Sequence, residues 1–200
     1  IGEDGVKKLA GSHVLVVGLG GVGAYAAEQL ARAGIGTMTI IDSDTVNVTN
    51  KNRQLLALDS TLGRPKVDVM ADRIRDINPE MNVIPINQYL KDQSIIDLMA
   101  QPFDFIVDAI DTLAPKVFLL YYAVQNKQKI VSCMGAGGKF NPEMIQKTDI
   151  SKSYNCRLAF YIRKRLHRLG IREGITVVFS PEKVADTAFT IDEEQTDNKI

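Results

Sequence analysis

Cysteine is scarce in this chain of 200 residues: Cys133 and Cys156 are the two present. No C-x-x-C pair occurs, and two thiols cannot build a disulfide framework or a four-ligand zinc site. A reducing compartment, the cytoplasm, is the expectation. Long apolar runs are missing too. None approaches the roughly 18 residues that a membrane helix requires, and the opening "IGEDGVKKLA" has no signal-peptide core, so no membrane partner is expected in the visible chain. Histidine is equally thin: His13 and His167 have no neighbours that suggest a metal or a triad, and neither is assigned a role. The chain does not begin with methionine and stops in the polar stretch "IDEEQTDNKI" with no closing element, so the C-terminus is read as incomplete. Internal repeats and low-complexity linkers are absent.

What is present suits one globular domain over residues 1–200, because 45% hydrophobic content at this length supports one sizeable core. Short β-branched runs at 13–18, 37–42, 82–86, 103–109, 129–133 and 175–179 read as six strands. Between them, periodic stretches near 22–33, 65–77, 94–100, 113–126 and 155–169 read as helices. That alternation predicts an α/β, Rossmann-like fold with a mostly parallel sheet and helices on both faces. In the helix from residue 65, Val67, Ala71, Ile74 and Ile77 form the expected buried stripe, with Lys66 in the first turn and off that stripe.

"HVLVVGLGGVGAYAAEQLARAGI" is a strand, a glycine turn and a helix, in which Gly18, Gly20 and Gly23 match G-x-G-x-x-G and Gly21 adds a fourth glycine. Such a turn brings backbone N–H groups and a helix N-terminus close to a phosphate. Asp42, 19 residues after Gly23 and at the end of the next strand, suits ribose hydroxyls. A nicotinamide or flavin enzyme would need no more. Here "DSDTVNVTNKNRQ" continues with Asp44, Asn50, Arg53 and Gln54, and Lys66 follows after "GRP". Arginine's planar fork and lysine's mobile charge suit β- and γ-phosphates and a pyrophosphate leaving group, which favours a triphosphate over a nicotinamide. Asp108 and Asp111 follow the fourth strand run. Asp111 is read as a ligand to Mg²⁺ on the phosphates rather than as a helix cap, and Asp108 as a loop cap.

Charge supplies a further signal despite a net charge of zero. Residues 150–172 carry seven Lys/Arg and no Asp or Glu, leaving the other 17 bases to face all 24 acids. With Leu158, Ile162, Leu166 and Leu169 as one apolar stripe, Arg157, Arg163, Lys164 and Arg168 fall on exposed faces where nucleic-acid phosphates could be met.

These residues resemble the adenylating enzymes related to ubiquitin activation, the ThiF family with its activators of molybdopterin synthase and thiamin-pathway sulfur carriers. The resemblance rests on Gly18-Leu19-Gly20-Gly21-Val22-Gly23, Asp42-Ser43-Asp44-Thr45-Val46, Asn50-Lys51-Asn52-Arg53-Gln54, Gly63-Arg64-Pro65-Lys66 and Asp108-Ala109-Ile110-Asp111. It implies that Asp42 holds ribose, that Asn50, Arg53 and Lys66 hold phosphates, and that Asp111 holds Mg²⁺. It also implies a homodimer with two ATP sites, in which the partner's N-terminal segment adds an arginine from a region that would lie before Ile1. "AGGKFNP", "IQKTDI" and "VFSPE" are similar to the branch of that family that acts on tRNA. That branch implies adenylation of the threonine carboxylate of a modified adenosine, threonylcarbamoyladenosine, beside the anticodon, followed by ring closure with net loss of water. Two other readings stay open: an activator of a small ubiquitin-like sulfur carrier, usually with zinc-binding C-x-x-C pairs, and a nicotinamide oxidoreductase or inactive binding module. A sulfur-transfer protein is a further candidate partner. Cys133 is read as a small buried residue rather than an acyl or sulfur acceptor, and Cys156 as incidental.

Overall fold

The strand runs at 13–17 and 37–42 become central parallel strands because they are apolar on both sides of the pleat. In the computed structural model, which describes residues 1–184, β1 (His13–Val17) and β2 (Thr37–Asp42) each bury four consecutive residues. Contacts divide the chain into two compact units, Ile1–Ala109 and the part from Ile110 onward.

In the first unit β1 pairs in parallel with β2 and with β4 (Phe105–Asp108), and β2 pairs in parallel with β3 (Asn82–Asn87), giving the order β3-β2-β1-β4. The chain thus moves to one side of β1 through β2 and β3 and to the other through β4. The crevice at the carboxyl ends of β1 and β4 is the switch point at which such sheets take ligands. Helix α2 (Gly23–Arg32) buries Ala24, Ala27 and Ala31, small side chains that let it approach the sheet closely. Helix α3 (Lys66–Ile77) buries Val67, Met70, Ala71 and Ile74, and leaves Ile77 only half-buried. Two further helices belong to this unit, α1 (Gly2–Ala10) and α4 (Gln93–Met99). Helix α1 lies outside the predicted set: its apolar residues bury nothing fully, so the core does not impose a stripe on "GEDGVKKLA".

The second unit contains α5 (Leu113–Gln125), β5 (Ile130–Cys133), β6 (Gln146–Asp149), α6 (Arg157–Arg168) and β7 (Thr176–Phe179). Strand β7 pairs in parallel with β5 and antiparallel with β6. Strand β6 is the one missed by the sequence pattern, since Gln146, Lys147, Thr148 and Asp149 carry no apolar alternation and, among the described residues, it pairs along one side only. Among the described residues, no helix is long and apolar enough to cross a membrane.

Candidate active site

The glycine turn is shaped by contacts that tolerate no side chain at one position. A Cβ on Gly23 would stand 1.8 Å from the Gly18 carbonyl oxygen and 3.0 Å from Ala109 Cβ, so the first turn of α2 closes on the end of β1 and on the residue after β4. Gly18 itself has φ +88°, the left-handed region that glycine enters without strain. Gly20 differs, because a Cβ there would meet only Gln54 Nε2, at 3.8 Å. The backbone at Gly20 is therefore open on the side where a Cβ would stand.

Asp42 joins this turn to the loop that follows β2. Its Oδ2 accepts from the Leu19 N–H at 2.6 Å and its Oδ1 from the Asp44 N–H at 2.8 Å. Each carboxylate oxygen keeps a second lone pair, so the anchoring leaves capacity for a ribose hydroxyl. The next segment is a closed loop. The Val46 N–H donates to Arg64 O, the Gly63 N–H to Val46 O and the Lys66 N–H to Asp44 O, so that residues 44–46 and 63–66 zip together. Asp44 and Lys66, 22 positions apart, are thereby brought side by side, and Lys66 Nζ donates to Asp44 Oδ2 at 2.8 Å. Lys66 is in the first turn of α3, as predicted, yet it is 4% exposed rather than lying off the buried surface. The reason is the zipped base of the loop, which covers that first turn. The Asp44 side chain is 69% exposed, so the pair has one dry end and one wet end.

Within the loop, Asn47 and Asn50 form a reciprocal cap on a short 3-10 turn, Val48–Asn50. Asn47 Oδ1 accepts from Thr49 N, and Asn50 Oδ1 accepts from Asn47 N at 3.0 Å. Asn50 therefore shapes the loop in addition to any ligand contact. The Arg53 guanidinium donates to Thr49 O at 3.2 Å and Asn52 Oδ1 at 2.9 Å, and the Arg53 backbone and stem lie against Gly21, with Arg53 O 3.3 Å from where a Gly21 Cβ would stand. Arg53 and Gln54 are thus stacked on the glycine turn from which they are some 30 positions removed in sequence. Gly18, Gly20, Gly21, Gly23, Asp42, Asp44, Asn50, Arg53, Gln54 and Lys66 all belong to this one constellation.

Asp111 lies in the second unit and is exposed. The N-cap of α5 is Thr112, so Asp111 does not occupy the capping position. Asp108 is fully buried, and so is Lys116, whose Nζ donates to Ile110 O at 3.0 Å. Lys116 went unnoticed in the sequence because a lysine four residues into a helix ordinarily faces solvent. Among the described residues no group of three or more His, Cys, Asp or Glu could by itself hold a metal ion. A Mg²⁺ ion bound through one carboxylate and substrate phosphates requires no such group.

Helix α6 departs from its predicted stripe. Ala159, Ile162 and Leu166 are its buried residues, whereas Leu158 is half-buried and Leu169, at the C-cap, is 40% exposed. Arg157, Lys164 and Arg168 are exposed as expected, and Arg165 joins them. Arg163 is the correction: it is half-buried and donates to Ser153 Oγ and, at 3.5 Å, to Ile150 O, which ties α6 to the preceding turn. Cys133 is only half-buried, while Cys156 is buried.

Two further loops of this unit converge on Ser180-Pro181-Glu182. Glu182 Oε2 accepts from the N–H groups of both Phe140 and Asn141 at 2.9 Å, Lys139 Nζ donates to Ser180 O, and Asn155 Nδ2 donates to Pro181 O at 3.1 Å. The Asn141 and Phe140 amides hold the Glu182 carboxyl below its usual value. The sequence flagged these segments only as similar stretches, since hydrogen bonds about 40 positions apart leave no local period.

A profile of the ThiF family matches residues 1–182, and the chain belongs to that family. The tRNA threonylcarbamoyladenosine dehydratase of Bacillus subtilis is 42% identical over 182 residues, covering 91% of this chain and 72% of that protein. Among solved structures, the Escherichia coli tRNA N6-threonylcarbamoyladenosine dehydratase TcdA in complex with ATP superposes with a TM-score of 0.90 at 41% identity, over 92% of this chain and 79% of that one. The Escherichia coli molybdopterin-synthase adenylyltransferase reaches the same 42% identity over 111 residues, 56% of this chain and 44% of that protein.

Proposed function

We propose that this chain is an ATP-dependent adenylating enzyme that activates the threonine carboxylate of threonylcarbamoyladenosine in tRNA and promotes its cyclisation. The observation that carries the reading is the extent of likeness: at equal identity, the tRNA dehydratase is matched over 91% of the chain and the molybdopterin-synthase enzyme over 56%. The basic, acid-free segment of residues 150–172 supports it on independent physical grounds.

In this reading ATP lies over the Gly18–Gly23 turn with its ribose on Asp42. Asn50, Arg53 and Lys66 hold the phosphates and Gln54 supports the turn beside Gly20; Asp111 would hold Mg²⁺, which would supply charge neutralisation to the leaving pyrophosphate. The substrate carboxylate is already ionised at neutral pH and needs no side-chain base. It attacks the α-phosphorus, a P–O bond to the β-phosphate breaks, and pyrophosphate leaves with its charge balanced by Arg53 and Lys66. Asp44 keeps the buried Lys66 ammonium paired in the free enzyme, so that phosphate oxygens replace one carboxylate rather than a water shell. An intramolecular nucleophile of the modified base then displaces AMP and closes the ring, with net loss of water.

Arg157, Lys164 and Arg168 contact tRNA phosphates, and Arg165 extends the same exposed face. Arg163 acts by fixing the helix. The chain works in the cytoplasm as a homodimer, with a sulfur-transfer protein as a further partner. The test is ATP–pyrophosphate exchange with two candidate acceptors. Exchange stimulated by tRNA bearing threonylcarbamoyladenosine supports the proposal. Exchange stimulated only by a small carrier protein ending in Gly-Gly would replace it with the sulfur-carrier reading.

A further inference from the structure

Phe140 is 85% exposed, an unusual setting for an aromatic side chain on a well-fastened loop. Its backbone N–H and that of Asn141 are held by Glu182, Lys139 on its other side is bonded to Ser180 O, and Asn141 Oδ1 caps the next turn by accepting from Glu143 N at 2.9 Å. The loop is therefore stiff on both sides of a side chain that packs against almost nothing.

The neighbouring loop has the same design. Tyr154 is 51% exposed and meets Phe179 edge-on, with ring centroids 5.8 Å apart. The next residue, Asn155, has φ +51°, a conformation disfavoured for most residues with a Cβ, and its side chain is bonded to Pro181 O. Both aromatic-bearing loops are thus anchored on the single segment Ser180–Glu182, and the second runs directly into α6. The surroundings are cationic: Arg157 sits at the start of α6 with its guanidinium 5.9 Å from the Tyr161 ring, and Lys164, Arg165 and Arg168 follow on the exposed helix surface. A lone exposed aromatic needs no explanation. Two on loops clasped to one segment, beside a helix that carries bases and no acid, fit a polyanion that also offers flat apolar faces.

We infer that Phe140 and Tyr154 form a stacking platform for unpaired bases of the tRNA, with the α6 cations holding the flanking backbone. The inference rests on the tRNA reading above and adds to it the residues that grip the single-stranded part of the substrate. Unpaired RNA bases are typically taken on aromatic faces in this way, whereas helix phosphates are met by Lys and Arg. Glu182 positions the platform without touching the RNA.

The chain contains no tryptophan, so Phe140→Trp adds a single indole, excited apart from the tyrosines, to these 200 residues at a site open to solvent. The full-length variant is titrated with an anticodon stem-loop RNA carrying the modified adenosine. Saturable quenching of its emission is expected. In steady-state assays Phe140→Ala raises the KM for tRNA about tenfold, within the roughly five- to hundredfold range of losing one stacked base, leaves the KM for ATP unchanged, and is rescued by Phe140→Trp. Unquenched emission together with normal turnover of tRNA by the unsubstituted enzyme would overturn the platform and leave the function standing. Emission that is already buried, shifts with protein concentration and ignores RNA would overturn it in favour of an interface between copies of the chain. Failure of the unsubstituted enzyme to alter the modified tRNA with ATP would remove the function itself, and the platform with it.

Discussion

The two units use charge in opposite ways. In the first, Lys66 is buried and paired with Asp44 across a zipped loop base, and Arg53 lies on the Gly21 turn. In the second, Arg157, Lys164, Arg165 and Arg168 stand in solvent on one helix, while bonds to Glu182 and Asn155 stiffen the loops. A buried, backbone-set constellation can fix a small ligand's geometry. An exposed one supplies a field and a surface for a large substrate, with little dependence on any single side chain. Substitutions in the first unit should therefore act steeply and one residue at a time, and those in the second gradually and in sum.

Gly23→Ala should show the steepest effect. With Gly18 O 1.8 Å from the new Cβ the turn cannot close, so we expect a loss of about 3 kcal/mol or more in denaturant unfolding together with loss of ATP binding. Gly20→Ala, which has room, should unfold near the parent midpoint and lose only nucleotide affinity. If both variants unfold alike, the close approach at Gly23 is not what shapes the turn. Next come Arg53→Ala and Lys66→Ala, each expected to lower substrate-dependent pyrophosphate exchange about a hundredfold or more with the fold intact. A loss confined to the KM for ATP would assign them ground-state binding rather than leaving-group stabilisation.

In the second unit, Lys164→Ala combined with Arg168→Ala should weaken tRNA binding and flatten its logarithmic salt dependence by about 0.7–0.9 per charge removed, with the KM for ATP unchanged. An unchanged slope would return α6 to the status of a solvated helix. The smallest effect concerns pH. Because two backbone amides lower the Glu182 value in the folded protein, its contribution is complete above the ordinary carboxylate value and is lost only as pH falls through the depressed one. Hydrogen exchange of the Phe140 and Asn141 amides, corrected for chemical exchange, should stay slow down to that acid limit. Glu182→Gln should exchange faster at neutral pH and show no such acid transition.

The same contrast explains what could be read from the sequence. Six strand runs and the G-x-G-x-x-G turn were legible because parallel strands are apolar on both faces and a phosphate turn needs glycine at fixed spacing. Asp42, Arg53 and Lys66 were legible as a motif, whereas the burial of Lys66 was not: it follows from the pairing of residues 44–46 with 63–66, which no local period encodes. Strand β6 is polar and was missed, α1 buries nothing fully and was missed, and the inward turn of Arg163 depends on Ser153, ten residues earlier. Phe140 lies within "AGGKFNP", but its exposure follows from the clasp at Glu182, which no local pattern encodes.

A nucleotide site built on the Gly18–Gly23 turn that activates a carboxylate on tRNA is read most directly from the RNA itself. The most direct test incubates full-length protein with ATP, Mg²⁺ and tRNA carrying threonylcarbamoyladenosine, beside an Arg53→Ala control, and measures the nucleosides by mass spectrometry. ATP-dependent loss of one water from the modified nucleoside is expected, abolished or nearly so in the variant. An unchanged nucleoside with the parent enzyme, or equal water loss with Arg53→Ala, would contradict it.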